Sequence, residues 1–204
     1  MIDLNLIDYY DELPKETFTN YIGIDVGSTS DRTAMVTVKQ AKDIAYIDDI
    51  VVMHKASYED QLDMAKSLHN KNTYKSGYVD KTGIGSAFSE FVEKKVCSQI
   101  KGLQFTASNK TQMFENLRSR IFDHTLKINS KFKSMIELDF NNVQRIVNEA
   151  GQVKYEAGHN AQGHSDITSA IVLALQAIKD KPVSFAMPAS YSRSSVFLGY
   201  SRLF

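Results

Sequence analysis

Three aspartates stand where a carboxylate can do chemistry. Asp25 ends the short apolar run at residues 21–25 (YIGID) and is followed by the glycine-bearing turn VGSTSD. Asp80 ends a second such run, SGYVD, before the turn KTGIG, and Asp166 opens the apolar segment DITSAIVLALQAI after the polar loop AGHNAQGHS. In an α/β sheet, ligands gather beyond the carboxyl ends of the strands, so Asp25 and Asp80 are candidates for one site. Asp166 joins them if the first turn of its helix abuts that edge. Three carboxylates gathered in a partly dry place repel one another, and a divalent cation is the simplest neutraliser. Oxygen ligands suit magnesium or manganese. Two such ions roughly 3.5–4 Å apart activate a water and stabilise the leaving oxygen of a phosphodiester. Each aspartate alone is also what a turn or a helix start favours for local hydrogen bonding; the weight rests on all three, in this order, on these elements.

Other residues could join them. Asp31 follows Asp25 closely, where it either closes the turn or meets a metal directly or through water. His164, two residues before Asp166, is a candidate metal or phosphate ligand, with His159 as a second; both are also ordinary loop histidines. Lys110, Arg118 and Arg120 fall on one amphipathic segment and are candidates for contact with nucleic acid, against the default of solvated helix charges. Gly83 and Gly85 would permit the turn after Asp80 and a close backbone approach to phosphate. Phe88, Phe91, Phe114 and Phe122 recur at helical core spacing and read as packing residues. The single cysteine, Cys97, excludes an internal disulfide framework and a multi-cysteine zinc site, which fits a reducing cytosol.

The elements that must position these residues are legible from periodicity. Residues 21–25, 32–40 and 41–53 read as three consecutive antiparallel strands. A helix follows over residues 58–70, where Leu62, Ala65 and Leu68 recur at helical spacing. Then come a strand at 76–80, a helix at 86–96, a strand at 102–106 and a helix at 110–124, an alternation that predicts parallel strands with crossover helices. A further helix is expected over 130–140, a hairpin over 143–155 turning near 149–151, and a strongly apolar helix over 166–178 with Ser165 as its N-cap. The expected fold class is α/β, a mixed central sheet whose first three strands are antiparallel and whose later strands are parallel, flanked by helices. Residues 1–19, broken at Leu13-Pro14, read as a lead-in without a clear strand or long helix; residues 20–180 read as the domain, and 181–204 as an extended or flexible tail.

With 204 residues, 43% of them hydrophobic and 24% charged, the chain suits one substantial domain that stays in solution. No apolar stretch approaches the roughly eighteen residues of a membrane span, and the acidic N-terminus is unlike a signal peptide. Lys+Arg and Asp+Glu are both 24, giving a formal charge of zero. That counts against a tight unaided grip on DNA and assigns part of the grip to another module.

Taken in order, YIGIDVGSTSDRTAMVTV, SGYVDKTGIG, SNKTQMFENLRSRI and GHSDITSAIVLAL resemble the C-terminal nuclease domain of the large terminase subunit of tailed bacteriophages, over roughly residues 21–178. The resemblance implies a ribonuclease H-like fold in which Asp25 is the acid of the GIDxG-like strand, Asp80 that of the D-x-x-G-x-G-like strand, and Asp166 the acid that opens the late helix. It implies an endodeoxyribonuclease with two magnesium or manganese ions that cuts concatemeric double-stranded DNA with little sequence preference, in the cytoplasm of the bacterial host. The implied partners are a terminase ATPase module, the small terminase subunit and the portal protein, with this chain a monomer in isolation and no membrane involved. No G-x-x-x-x-G-K-[ST] string occurs, so the chain is expected to be an excised domain or one piece of a split motor. Two enzymatic alternatives stand beside this: an actin or sugar-kinase-like ATPase fragment, whose first phosphate loop IGIDVGSTS matches, and a Holliday-junction resolvase of the same fold. A non-enzymatic packaging or portal-docking module is the outcome if the acids do not converge.

Overall fold

A computed structural model describes residues 2–28, 31–149, 151–157 and 165–180; His159, His164 and the segment 181–204 lie outside the described residues. The elements in chain order are β1 (Asp8–Tyr10), β2 (Thr19–Asp25), β3 (Arg32–Ala41), β4 (Ile44–His54), α1 (Tyr58–Asn72), β5 (Ser76–Asp80) and α2 (Gly85–Lys95). They continue with β6 (Ile100–Leu103), α3 (Ala107–Phe122), β7 (Leu126–Asn129), α4 (Lys133–Asn141), β8 (Val143–Val147), β9 (Val153–Ala157) and α5 (Asp166–Lys179). Among the described residues, seven strands form one mixed sheet in the order β1-β7-β4-β3-β2-β5-β6, and β8 and β9 form a separate antiparallel hairpin. As the periodicity predicts, β2, β3 and β4 are antiparallel, while β5 joins β2 and β6 joins β5 in parallel.

Strand β3 is buried along almost its whole length, because both faces of the sheet are covered. One core packs Tyr21, Ala34, Val36 and Ile47 under α3, α4 and α5. The other packs Ile22, Ile24, Met35 and Val79 under α1 and α2. The period-2 alternation along β2 thus sends odd residues toward α5 and even residues toward α1. Helix α5, with ten buried side chains, is the apolar centre of the first layer.

Four local expectations are corrected. Asp8–Tyr10, read as part of a lead-in without a clear strand or long helix, is a strand that pairs in parallel with β7, itself unforeseen; at three and four residues both are too short to show a period. The strand expected at 102–106 runs from Ile100 to Leu103, and α3 starts at Ala107 rather than 110. The cause is a capping box in which Thr106 and Asn109 exchange side-chain and backbone hydrogen bonds, with Asn where the usual signature has Glu or Gln. Phe88 and Phe114 are buried as expected, but Phe91 is half exposed and Phe122, the last residue of α3, lies 70% exposed.

Candidate metal centre

Strands β2 and β5 pair in parallel with Ile24 opposite Val79, so they end together. Asp25 and Asp80, the next residue of each, are neighbours across one strand spacing of about 4.8 Å. Both loops beyond them are pinned. The Thr82 amide donates to Asp80 Oδ1 at 2.8 Å, and Gly83 takes the left-handed conformation, φ +57, that turns the chain. After Asp25, the Gly27 amide donates to Thr33 Oγ1, Thr33 donates to Gln61 Oε1, and Gln61 Nε2 returns to the Gly27 carbonyl. This closed, buried network clamps the turn to α1.

The third aspartate comes from above the sheet. A Cβ on Gly23 would lie 1.9 Å from the Ala170 carbonyl oxygen and 2.6 Å from the Ala174 nitrogen, so α5 lies directly on β2. Asp25 shares the face of Gly23 and therefore lies under the first turn of α5, where the Ser169 side chain hydrogen-bonds to it. Ser165 occupies the N-cap position but makes no side-chain cap. The cap is supplied by Asp139 of α4, whose buried Oδ2 accepts from the Thr168 amide at 2.8 Å and from Thr168 Oγ1 at 2.5 Å. Burial pushes the Asp139 carboxyl up from its ordinary value, and the two bonds from Thr168 work against that rise.

The electrostatics register the convergence. The Asp25 carboxyl is pushed up to about 8, first by removal from water, then by the negative charges of Asp166 and Asp80; Ser169 and the cation of Lys110 offset part of this. Asp166 accepts from Arg32 Nε at 3.1 Å. Among the described residues, no three His, Cys, Asp or Glu side chains stand close enough to chelate a metal ion as they are. The donor set nevertheless fits a hard divalent cation: all its donors are carboxyl oxygens, and Asp25 is raised by burial and by its two acidic neighbours despite the partial offset from Lys110.

The remaining candidates divide. Lys110, in the first turns of α3, acts on Asp25 and lies 5.8 Å from the centroids of the Phe105 and Phe114 rings. Asp31 is exposed in the turn before β3 and accepts from the Ser28 hydroxyl; the acids acting on Asp25 are Asp166 and Asp80. Arg118 pairs with Glu115 at 2.7 Å, beside Arg145 and Tyr155 of the hairpin. Arg120 is placed beside Asp43, in the turn between β3 and β4 at the opposite edge of the sheet. Gly85 is buried, and its close approach is to the Asp80 carbonyl, 1.9 Å from where a Cβ would be, not to a surface a phosphate could reach. Gly83 is exposed with nothing near its missing side chain. Sequence reasoning passed over Arg32, Asp139 and Ser169. Only Ser169 carried a signal, lying three residues after Asp166 and so on the same helix face.

A groove of about 520 Å³ between α1 and α2, lined by Tyr58, Leu62, Ile84, Phe88 and Phe91 among others, opens on the other side of the sheet, and none of the three aspartates lines it.

The model of the terminase RNaseH-like domain matches residues 22–177. The nuclease of the large terminase from thermophilic phage G20c, solved with bound magnesium, superposes with a TM-score of 0.66 at 20% identity over 85% of this chain and 94% of that one. The large terminase nuclease domain of Thermus phage P74-26 gives 0.64 at 19% identity over 84% and 90%. The large terminase of bacteriophage HK97 gives 0.66 at 11% identity, and there the match covers 85% of this chain but 42% of that one. No curated protein sequence matches the chain.

Proposed function

Because this chain belongs to the terminase RNaseH-like domain family, we propose that it is a metal-dependent endonuclease cutting concatemeric double-stranded DNA during phage genome packaging, with Asp25, Asp80 and Asp166 as its metal ligands. The observation that carries this is the meeting of three acids at the carboxyl edge of β2 and β5, where Asp25, pushed up to about 8 first by burial, is raised also by the charges of Asp166 and Asp80. The large terminase nuclease of phage G20c has been solved with magnesium, with cobalt and with zinc, which supports a site for divalent ions on this fold. Two magnesium or manganese ions would supply a water of lowered pKa and neutralise charge on the phosphate.

The chain's own residues do the rest. Asp25 and Asp80 present oxygens from the sheet edge, and Asp166 presents its carboxylate from α5. Ser169 orients Asp25 by hydrogen bonding to it. Lys110 places a cation beside the acids, where a phosphodiester entering the site would meet it. Gly27, the second glycine of the kinase-like string, has a local purpose: its α-carbon faces the Arg32 carbonyl so closely that a Cβ would lie 2.1 Å from it. The domain at 20–180 carries the site, and the net charge of zero leaves the hold on DNA to the implied partners: an ATPase module, the small terminase subunit and the portal, in the host cytoplasm.

Incubating the chain with supercoiled plasmid and manganese tests this. Nicked and linear products are expected from the wild type and none from Asp80→Ala; undiminished cutting by that variant would refute the site. A four-way junction cut in preference to plain duplex would instead favour a resolvase.

A further inference from the structure

The proposed centre carries a cation of its own. Arg32 opens β3 on the face it shares with Ala34 and Val36, the face covered by α5, and its Nε donates to Asp166 Oδ2 at 3.1 Å. The Asp166 side chain is 15% exposed and that of Arg32 26%, so both partners keep a route to solvent while the carboxylate is the more enclosed. A carboxylate oxygen engaged by a guanidinium cannot offer the same lone pair to a metal ion, and two cations on one carboxylate repel each other. This fits the finding that the described acids converge electrostatically without forming a chelating cluster.

Resting on the assignment of Asp25, Asp80 and Asp166 as metal ligands, we infer that Arg32 is an internal competitor for the metal site, which holds Asp166 when no ion is bound, is displaced when a divalent cation enters, and then meets a phosphate of the DNA. Arg32 stands at the sheet edge beyond Ala34, the register partner of Asp25, so its guanidinium need move only within the site. Its planar fork suits a phosphate as well as a carboxylate. A chain of zero net charge adds this second phosphate contact to that of Lys110 only after the exchange, so metal and DNA bind cooperatively. A cut is thereby tied to the presence of both.

Calorimetry with Mn2+ on the whole chain, and anisotropy of a short labelled duplex with and without Ca2+, test the exchange. Arg32→Ala should bind Mn2+ roughly tenfold more tightly than wild type, as expected when one partly buried competing pair is removed. The wild type should gain duplex affinity when Ca2+ saturates the site, and Arg32→Ala should lose most of that gain. Arg32→Lys keeps the charge but not the fork, should fall between the two, and decides the matter if the alanine variant does not fold. Asp166→Asn separates the two layers of the argument. If Asp166→Asn loses Mn2+ binding while neither Arg32 variant binds it more tightly than wild type, the competitor is refuted and the metal site stands. If Asp166→Asn binds Mn2+ as the wild type does, both are overturned.

Discussion

In metal-free protein, replacing Asp25 by Asn should raise stability at alkaline pH, and the size of the gain follows from its surroundings. An aspartate unfolded in water titrates near 3.8, whereas Asp25 in the folded chain is pushed up to about 8 by burial and by Asp166 and Asp80. The folded state therefore holds a proton that the unfolded state has lost between these two values, so stability falls as pH rises through that window and levels off above it. From pH 5 to pH 8, at about 1.4 kcal/mol per pH unit, the ceiling is about 4 kcal/mol. Asp25 is only half-buried, and water entering the cleft discounts this to about 2 kcal/mol. For a domain of this size that is a melting shift of about 4–8 °C. Thermal unfolding with EDTA at pH 5, 6.5 and 8 should show the wild type losing this much while Asp25→Asn stays flat. Mg2+ at pH 8 should restore the wild type and leave the variant unmoved. Should the same pH slope persist in Asp25→Asn, or should that variant melt below wild type at pH 8, the account of the three charges fails.

Gly23→Ala should cost about 3 kcal/mol or more in chemical denaturation, because the new methyl meets backbone atoms of Ala170 and Ala174 and only a shift of the whole helix relieves it; a variant of wild-type stability would show that α5 does not press on β2. Asp139→Ala should cost about 2 kcal/mol by stripping the cap from Thr168 and should weaken Mn2+ binding as well, whereas Asp139→Asn, which retains an acceptor, should lose less of both. Lys110→Ala should weaken binding of a short duplex severalfold with a shallower salt dependence, and Arg120→Ala, at the far edge, should leave it unchanged. Equal losses from the two would mean that DNA lies along α3 rather than across the acids.

The parts of this protein that were legible in its sequence are those dictated by local pattern. The runs ending in Asp25 and Asp80 are short, apolar and stopped by glycine turns, so both acids could be assigned to strand ends, and the apolar length of α5 announced itself. Distance along α3 is legible too. Ten residues of helix span about 15 Å, so Lys110 and Arg120 could not both attend one site. What pattern could not give are pairings between remote positions. Arg32 and Asp166 lie 134 residues apart, and Arg32 alone reads as the exposed start of a strand. Asp139 sits in a helix where an acid ordinarily faces water, and only the approach of Thr168 from another element makes it a cap. The parallel contact of β1 with β7 likewise belongs to the assembled sheet, not to either segment.

The three acids are not held with equal security, and the difference follows from how each is placed. Asp25 and Asp80 are set by strand register: as long as Ile24 faces Val79, both carboxylates stand at the same edge. Asp166 is set by packing, on a helix whose seat requires the bare α-carbon of Gly23, the small residues Ala170 and Ala174, and a cap lent by α4. Its carboxylate is further held by Arg32. A perturbation of the sheet should therefore unfold the protein before it separates the first two acids. A perturbation under or beside α5 can move the third while the sheet persists. Loss of metal affinity among variants remote from the carboxylates should track the seating of α5, not global stability, and Asp139→Ala compared with a variant of the opposite core such as Ile22→Ala, on the face under α1 and α2, distinguishes the two.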